Sequence, residues 1–253
     1  RVNPVEGATS IFSLGSLVVS APAAGGLRRY AQNDSGALTL TAQWPQSSSV
    51  WKLHDGTSGK VLASSGATLT LWDVSVSPPL SVRSDVFTSP VASAILVPGF
   101  VYAVLNDHSV WKIDLGAGSG APARLQISDA APSLIARGGS AIALADLTAA
   151  GTTVIRYFAA GDPAAVPVTA VLEGSATSGL AASADGRVAV TTFRGLQIVD
   201  FRSGVPVTKV VAGTDTSLYS DVEIAGSEIF LLTATALEVR DLDSGALKTD
   251  FAL

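Results

Sequence analysis

The sequence predicts an all-β chain of six consecutive four-stranded antiparallel sheets, and three observations predict it. A Gly-bearing tight turn recurs at Gly15, Gly56, Gly99, Gly139, Gly186 and Gly226, in steps of 41, 43, 40, 47 and 40 residues. A second kind of apolar run opens at Leu27, Leu69, Val110, Val154, Leu196 and Leu237, in steps of 42, 41, 44, 42 and 41. The apolar runs between these markers are short, rich in Val and bounded by Gly, Asp and Ser, which is how strands and their turns read. Two markers sharing a period near 42 residues define a repeat whose unit is a small sheet. Four-stranded units of this length are the mark of a β-propeller, here of six blades, or of seven or more if the chain is a piece of a longer protein.

The elements follow in order. The first strand of each unit is moderately apolar: Ser10–Leu14, Val50–Leu53, Val91–Val97, Ser133–Arg137, Leu180–Ser183 and Asp221–Ala225. The Gly turn then reverses the chain, because tight hairpins need positive φ. Second strands are the most apolar: Leu17–Val19, Val61–Ala63, Val101–Leu105, Ile142–Ala145, Val188–Thr192 and Ile229–Thr233. Third strands often end in Asp, as at Asp73, Asp114, Asp200 and Asp241. An Asp there can accept hydrogen bonds from the turn that follows, while Gly204 or Gly245 takes a left-handed position. Fourth strands are more polar: Leu38–Trp44, Leu80–Phe87, Arg124–Ser128, Val168–Glu173, Val207–Val211 and Leu247–Leu253. Inner strands without clean alternation are apolar on both faces, as blades stacked around a ring require. The expected division is an N-terminal extension at 1–8 and one domain at 9–253, with blades near 9–46, 49–88, 90–128, 131–174, 178–213 and 220–253.

Two segments carry a family resemblance. Ala184-Asp-Gly-Arg-Val-Ala-Val190 through Leu196-Gln-Ile-Val-Asp-Phe-Arg-Ser-Gly204 resembles a bacterial propeller repeat of the YVTN type, and Leu69–Pro79 resembles an LVIVD repeat. The resemblance implies blade geometry and no chemistry. Trp72-Asp73 occurs once without a Gly-His partner, so WD repeats are not indicated.

Composition narrows the function classes. Hydrophobic residues make up 47% and charged residues 15%, which excludes disorder. The longest apolar stretch, Ala92 to Leu105, is interrupted by Pro98 and Gly99 and is too short for a membrane helix. Residues 1–126 hold 8 Lys/Arg against 7 Asp/Glu and residues 127–253 hold 8 against 14; no basic cluster exceeds Arg28-Arg29, so no nucleic-acid partner is expected. The chain has no Cys, which excludes disulfides and thiolate metal sites, and no Met, so residue 1 is expected to be a processed or cut end. Abundant Ala, Val, Gly, Ser and Thr, with 11 Arg against 5 Lys, suggest an exported protein of a GC-rich bacterium: secreted, periplasmic or at the cell surface.

Candidate chemistry is sparse. His54 is expected in a solvated first-to-second-strand turn and His108 in the loop Asn106-Asp107-His108-Ser109 at the opposite end of the sheets, so they share no site. Asp215, Asp221 and Glu223 are the best metal candidates, for calcium, with Asp221 and Glu223 on one side of a strand. No Gly-x-Ser-x-Gly elbow occurs, and His-Asp-Gly-Thr-Ser-Gly-Lys60 is a hairpin rather than a phosphate loop. Asn33-Asp-Ser35 is a formal glycosylation sequon. The four tryptophans, Trp44, Trp51, Trp72 and Trp111, are expected on strands between blades, with Trp44 the one exposed. Binding residues are expected on one loop face: Asn106, Asp107, His108, Asp146, Phe193, Arg194 and Tyr219, of which Phe193 and Arg194 are of the types that interfaces enrich. The expected function is a non-catalytic module for protein partners, without a cofactor. The alternative is a lactonase-like or related hydrolase with a calcium-type ion in the central channel.

Overall fold

The computed structural model describes residues 8–45, 49–57, 59–116, 120–125, 132–147, 151–159, 167–174, 176–211, 214 and 219–252. They form six four-stranded antiparallel sheets, each with its strands in sequence order, arranged in a ring as a six-bladed β-propeller. Blade 1 holds β1 (Ala8–Leu14), β2 (Leu17–Pro22), β3 (Leu27–Gln32) and β4 (Leu38–Trp44). Blade 2 holds β5 (Lys52–Thr57), β6 (Lys60–Ser65), β7 (Thr68–Asp73) and β8 (Leu80–Val86). Blade 3 holds β9 (Val91–Val97), β10 (Phe100–Leu105), β11 (Val110–Asp114) and β12 (Ala123–Leu125). Blade 4 holds β13 (Pro132–Gly138), β14 (Ala141–Leu147), β15 (Thr152–Ala159) and β16 (Val168–Glu173). Blade 5 holds β17 (Ala176–Ala182), β18 (Arg187–Thr192), β19 (Gly195–Asp200) and β20 (Val207–Val210). Blade 6 holds β21 (Asp221–Ala225), β22 (Glu228–Leu232), β23 (Ala236–Asp241) and β24 (Leu247–Ala252).

One turn differs from its expected place. In blade 2 the reversal falls at Gly59, at φ +75°, and Gly56 lies inside β5. A Cβ on Gly56 would stand 2.8 Å from the Lys60 carbonyl oxygen and 3.0 Å from Phe12, so this glycine serves close packing against blade 1. The later turn draws His54 into β5, where its Nε2 lies 2.7 Å from Ser64 Oγ; it is not a solvated turn residue. Trp51 precedes β5 instead of sitting on it. Trp44 is 5% exposed, against the expectation for the end of an outer strand, because Trp72 of blade 2 packs edge-on against it at 6.2 Å between centroids.

The Asp turns form as expected. Asp73 Oδ1 accepts from Ser75 N at 2.9 Å, Asp114 Oδ1 from Gly116 N at 2.8 Å, Asp200 Oδ1 from Arg202 N at 3.0 Å and Asp241 Oδ1 from Ser244 N at 2.8 Å. Each anchors the start of the excursion to the more exposed fourth strand.

The core lies between blades. Val19, Ala21 and Leu27 of blade 1 meet Leu53, Val61 and Ala63 of blade 2. Leu62, Leu69 and Leu71 of blade 2 meet Leu96, Val101 and Leu105 of blade 3. Tyr102 and Val104 of blade 3 meet Ile142 and Leu144 of blade 4. Ala143 and Ile155 of blade 4 meet Val188 and Val190 of blade 5, and Leu196 and Ile198 of blade 5 meet Ile229 and Leu231 of blade 6. Burial on both faces explains why the second strands read as unbroken apolar runs. Polar clamps span the same junctions: Arg29 Nη1 donates to the carbonyl oxygens of Val74 and Val76, each at 2.6 Å.

Candidate functional site

Two regions collect the chemistry-bearing residues: one loop face and the central channel. The loop face carries the turns from second to third strands and the connections between blades. In blade 3 the turn after β10 is closed by His108 N donating to Leu105 O at 2.9 Å. Asp107 Oδ1 accepts from Ser109 N at 3.0 Å and from Ser109 Oγ at 2.6 Å. These two bonds hold the Asp107 carboxyl below its usual value. They also hold His108 at φ +63°, the left-handed region that side-chain-bearing residues seldom adopt. Its Nδ1 lies 3.1 Å from the Pro132 carbonyl oxygen of blade 4. Asn106, Asp107 and His108 are all exposed.

Asp146, paired with Pro132 in the β13–β14 ladder, stands behind His108 and is 2% exposed. Arg156 Nε donates to its Oδ2 at 2.6 Å. Burial pushes the Asp146 carboxyl up, against the pull of Arg156 and of His108. Asp146 therefore supports this corner of the face from below and is not itself presented to a partner.

In blade 5 the turn Phe193-Arg194 is fixed by Arg194 N donating to Thr192 Oγ1 at 3.0 Å. Gln197 Nε2 donates to the same oxygen at 3.0 Å and to Glu173 O of blade 4 at 2.6 Å. The turn is thus tied to its neighbouring blade while its side chains reach solvent. Phe193 is 67% exposed, and Arg194 makes only an open 3.7 Å ion pair with Glu173, a kind of contact worth little in water. Tyr219 corrects the expectation: it is 4% exposed, packed between blades 5 and 6, with its hydroxyl donating to Glu238 Oε2 at 3.2 Å. Asn106–His108 and Phe193-Arg194 remain as two exposed patches, one on blade 3 and one on blade 5.

The channel is lined by first strands. On β5, Lys52 Nζ donates to Ala92 O of blade 3 at 2.7 Å, and burial draws the ammonium below its usual value despite Asp221. Burial, then Lys52, pushes His54 down to about 3, so its imidazole is neutral. Asp55 Oδ2 accepts from Leu96 N at 2.8 Å, and its Oδ1 accepts from Gly56 N at 2.7 Å and lies 3.4 Å from Arg137 of blade 4. Burial raises the carboxyls of Asp55, Asp221 and Glu223; Asp221 and Asp55 raise Glu223 further.

Of the expected metal set, Asp221 and Glu223 thus meet near the channel, and Asp215 lies outside the described residues. Among the described residues no three His, Asp or Glu side chains are grouped to hold a metal ion. Asp55, Arg137 and Lys52 escaped sequence reasoning. Their only signal was a charge on a first strand, which β21 shares at Asp221 and Glu223.

No protein-family model matches the chain, and no curated protein matches it. Among solved structures it is similar to the β-propeller domain of Cps50 (Swd1) from Myceliophteria thermophila, with 13% identity and a TM-score of 0.71 over 97% of this chain and 86% of that one. It is similar to the computationally designed protein Ika8, with 15% identity and a TM-score of 0.66 over 96% of this chain and 74% of that one. A chain of the mitotic checkpoint complex matches with 12% identity and a TM-score of 0.69, over 90% of this chain and 72% of that one. No helix among the described residues is long and apolar enough to cross a membrane. The likeness to these propellers is one of fold.

Proposed function

We propose that the chain is a non-catalytic β-propeller that binds protein partners or organises an assembly, as part of an exported or surface-displayed bacterial protein. The observation that carries this reading is the Phe193-Arg194 turn, a 67% exposed aromatic beside an open guanidinium on a rigidly tied hairpin. Aromatic and Arg side chains on a preorganised support are the groups that anchor protein interfaces. One of the solved propellers it resembles belongs to the mitotic checkpoint complex, a multiprotein assembly by its name, which accords with such a role. The exported, bacterial context rests on composition and on the resemblance of two segments to YVTN and LVIVD repeats. The test is cross-linking in the native source followed by mass spectrometry, with Phe193→Ala and Arg194→Ala variants beside the parent. Loss of a defined cross-linked partner in both variants supports the reading; an unchanged cross-link pattern overturns it.

The hydrolase alternative rests on the neighbouring carboxylates Asp221 and Glu223 of β21. Calcium titration followed by calorimetry, with a lactone hydrolysis assay, distinguishes the two: stoichiometric binding with calcium-dependent turnover favours the enzyme.

A further inference from the structure

The five clusters that fill the blade junctions all join blades adjacent in sequence. Among the described residues no apolar cluster joins blade 6 to blade 1, so the leading face of blade 6 and the trailing face of blade 1 form the one seam of the ring without such a cluster. Register identifies their residues. In blade 5, Leu196 pairs with Thr191 and Ile198 with Ala189 on the face turned to blade 6, and all four are at most 5% exposed. The corresponding pairs in blade 6 are Leu237 with Leu232 and Val239 with Phe230, and Phe251 extends that face opposite Leu237. Only Val239 is buried; Phe230, Leu232 and Leu237 are half-buried and Phe251 is 55% exposed.

On blade 1, Ile11 and Leu40 are 56% and 51% exposed, and Tyr30, opposite Leu40, is half-buried. Val18 and Ser20 between them are covered. Ser20 Oγ and Arg28 Nε, cross-strand neighbours on this face, are buried without a hydrogen-bond partner. At the packed junctions an adjoining blade supplies such acceptors, as Glu173 O does for Gln197.

We propose that this seam receives one further β-sheet element: a four-stranded antiparallel blade, apolar on both faces, packing on Phe230, Leu237 and Phe251 with one face and on Ile11, Tyr30 and Leu40 with the other. Continuity with the existing junctions selects this occupant. Both faces present the pleated positions that a four-stranded sheet covers at every other junction; their apolar members are Phe230, Leu232, Leu237 and Phe251 on blade 6 and Ile11, Tyr30 and Leu40 on blade 1, while Asp221 and Glu223, cross-strand from Leu232 and Phe230, keep the β21 edge polar. The loop-face reading of function is independent of this seam.

The chain has no cysteine, so single-cysteine labelling reports on one position at a time. The probe is the chain extended after Leu253 by a second copy of its own residues 174–211, which comprise blade 5. In the unextended chain Phe230→Cys is expected to react rapidly with a maleimide, and Ala189→Cys, its buried counterpart, slowly. In the extended, monomeric chain the Phe230→Cys rate is expected to fall to that of Ala189→Cys. Slow labelling of Phe230→Cys in the unextended monomer, meaning blades 6 and 1 close on each other, overturns the proposal. So does slow labelling that accompanies a dimer mass, which assigns the seam to a second copy. Rapid labelling in a folded extended chain overturns it as well. Should the cysteine variants not fold, hydrogen exchange decides: extension must raise the protection of β22 and β23 to that of β18 and β19.

Discussion

Asp55 Oδ2, on the innermost strand of blade 2, accepts a hydrogen bond from Leu96 N of blade 3 at 2.8 Å, so a channel-side carboxylate fastens the edge of the neighbouring blade. Removing it in Asp55→Ala leaves a buried amide unpaired, and such a loss costs about 1–3 kcal/mol. Urea denaturation is expected to show the midpoint falling by that measure, and Asp55→Asn, which keeps an acceptor oxygen, losing less. Equal losses in the two variants would show that the hydrogen bond is not what Asp55 contributes.

Glu223 sets a pH dependence of defined sign. Crowding by protein atoms, then Asp221 and Asp55, raises its carboxyl above 4.5 in the folded state. Between 4.5 and that raised value the folded chain holds more protons than the unfolded chain, so this contribution to stability falls as pH rises through the window. Thermal melts should find Glu223→Gln more stable than the parent above the window, and the advantage gone below it.

The three-tryptophan cluster joins blades 1 and 2. Trp72 packs edge-on against Trp44 at 6.2 Å and Trp51 at 6.0 Å, at interplanar angles of 71° and 74°. Replacing a buried aromatic by Ala costs about 3–5 kcal/mol, and half-buried Trp72 belongs at the low end. Trp72→Ala is expected to lower the melting temperature and to collapse most of the near-UV circular dichroism, since coupling among the three rings depends on the middle one.

Gly195 opens β19 at φ +92°, where a Cβ would stand 2.5 Å from the Thr214 carbonyl carbon and oxygen. Gly226 has a similar left-handed φ of +62° with nothing within 4 Å of the would-be Cβ. Left-handed backbone alone costs a side-chain-bearing residue about 1–2 kcal/mol. Gly226→Ala should lose that much by chemical denaturation and Gly195→Ala clearly more, because Thr214 Oγ1 also accepts from Leu196 N at 2.9 Å and must be displaced.

Phe193 offers the opposite test. At 67% exposed it contributes little to the fold, and Phe193→Ala is expected to leave stability within about 0.5 kcal/mol of the parent. Partner binding should weaken in the same variant. A large stability loss would mark Phe193 as a packing residue and remove the main support for the interaction face.

The periodic elements were legible because their causes are local. Gly99, Gly139, Gly186 and Gly226 sit at positive φ where tight turns demand it, and Asp73, Asp114, Asp200 and Asp241 close turns within a few residues of themselves. Blade 2 was misplaced at its first turn because His54-Asp55-Gly56 has turn composition, while Gly59 three residues later carries the positive φ. Contact with Phe12 of blade 1 selects Gly56 for strand, and no local signal contains that contact.

The candidate site was less legible. Phe193, Arg194 and the Asn106–His108 turn were expected at the surface and are there, since turn tips between apolar strands have nowhere else to go. Tyr219 and Asp146 were placed on the same face, yet both side chains are buried, Tyr219 between blades 5 and 6 and Asp146 against Arg156 of its own blade. By itself the sequence determined the sheet repeat, the six blades and the turn chemistry, because spacing and φ preference act over a few residues. Only the tertiary structure decided which charges meet at the channel, which loop residues reach solvent and which apolar positions fill the junctions between blades. Those properties depend on residues some 40 to 170 positions apart, as Asp55 is from Leu96 and Glu223, and a periodic sequence carries no record of such distances.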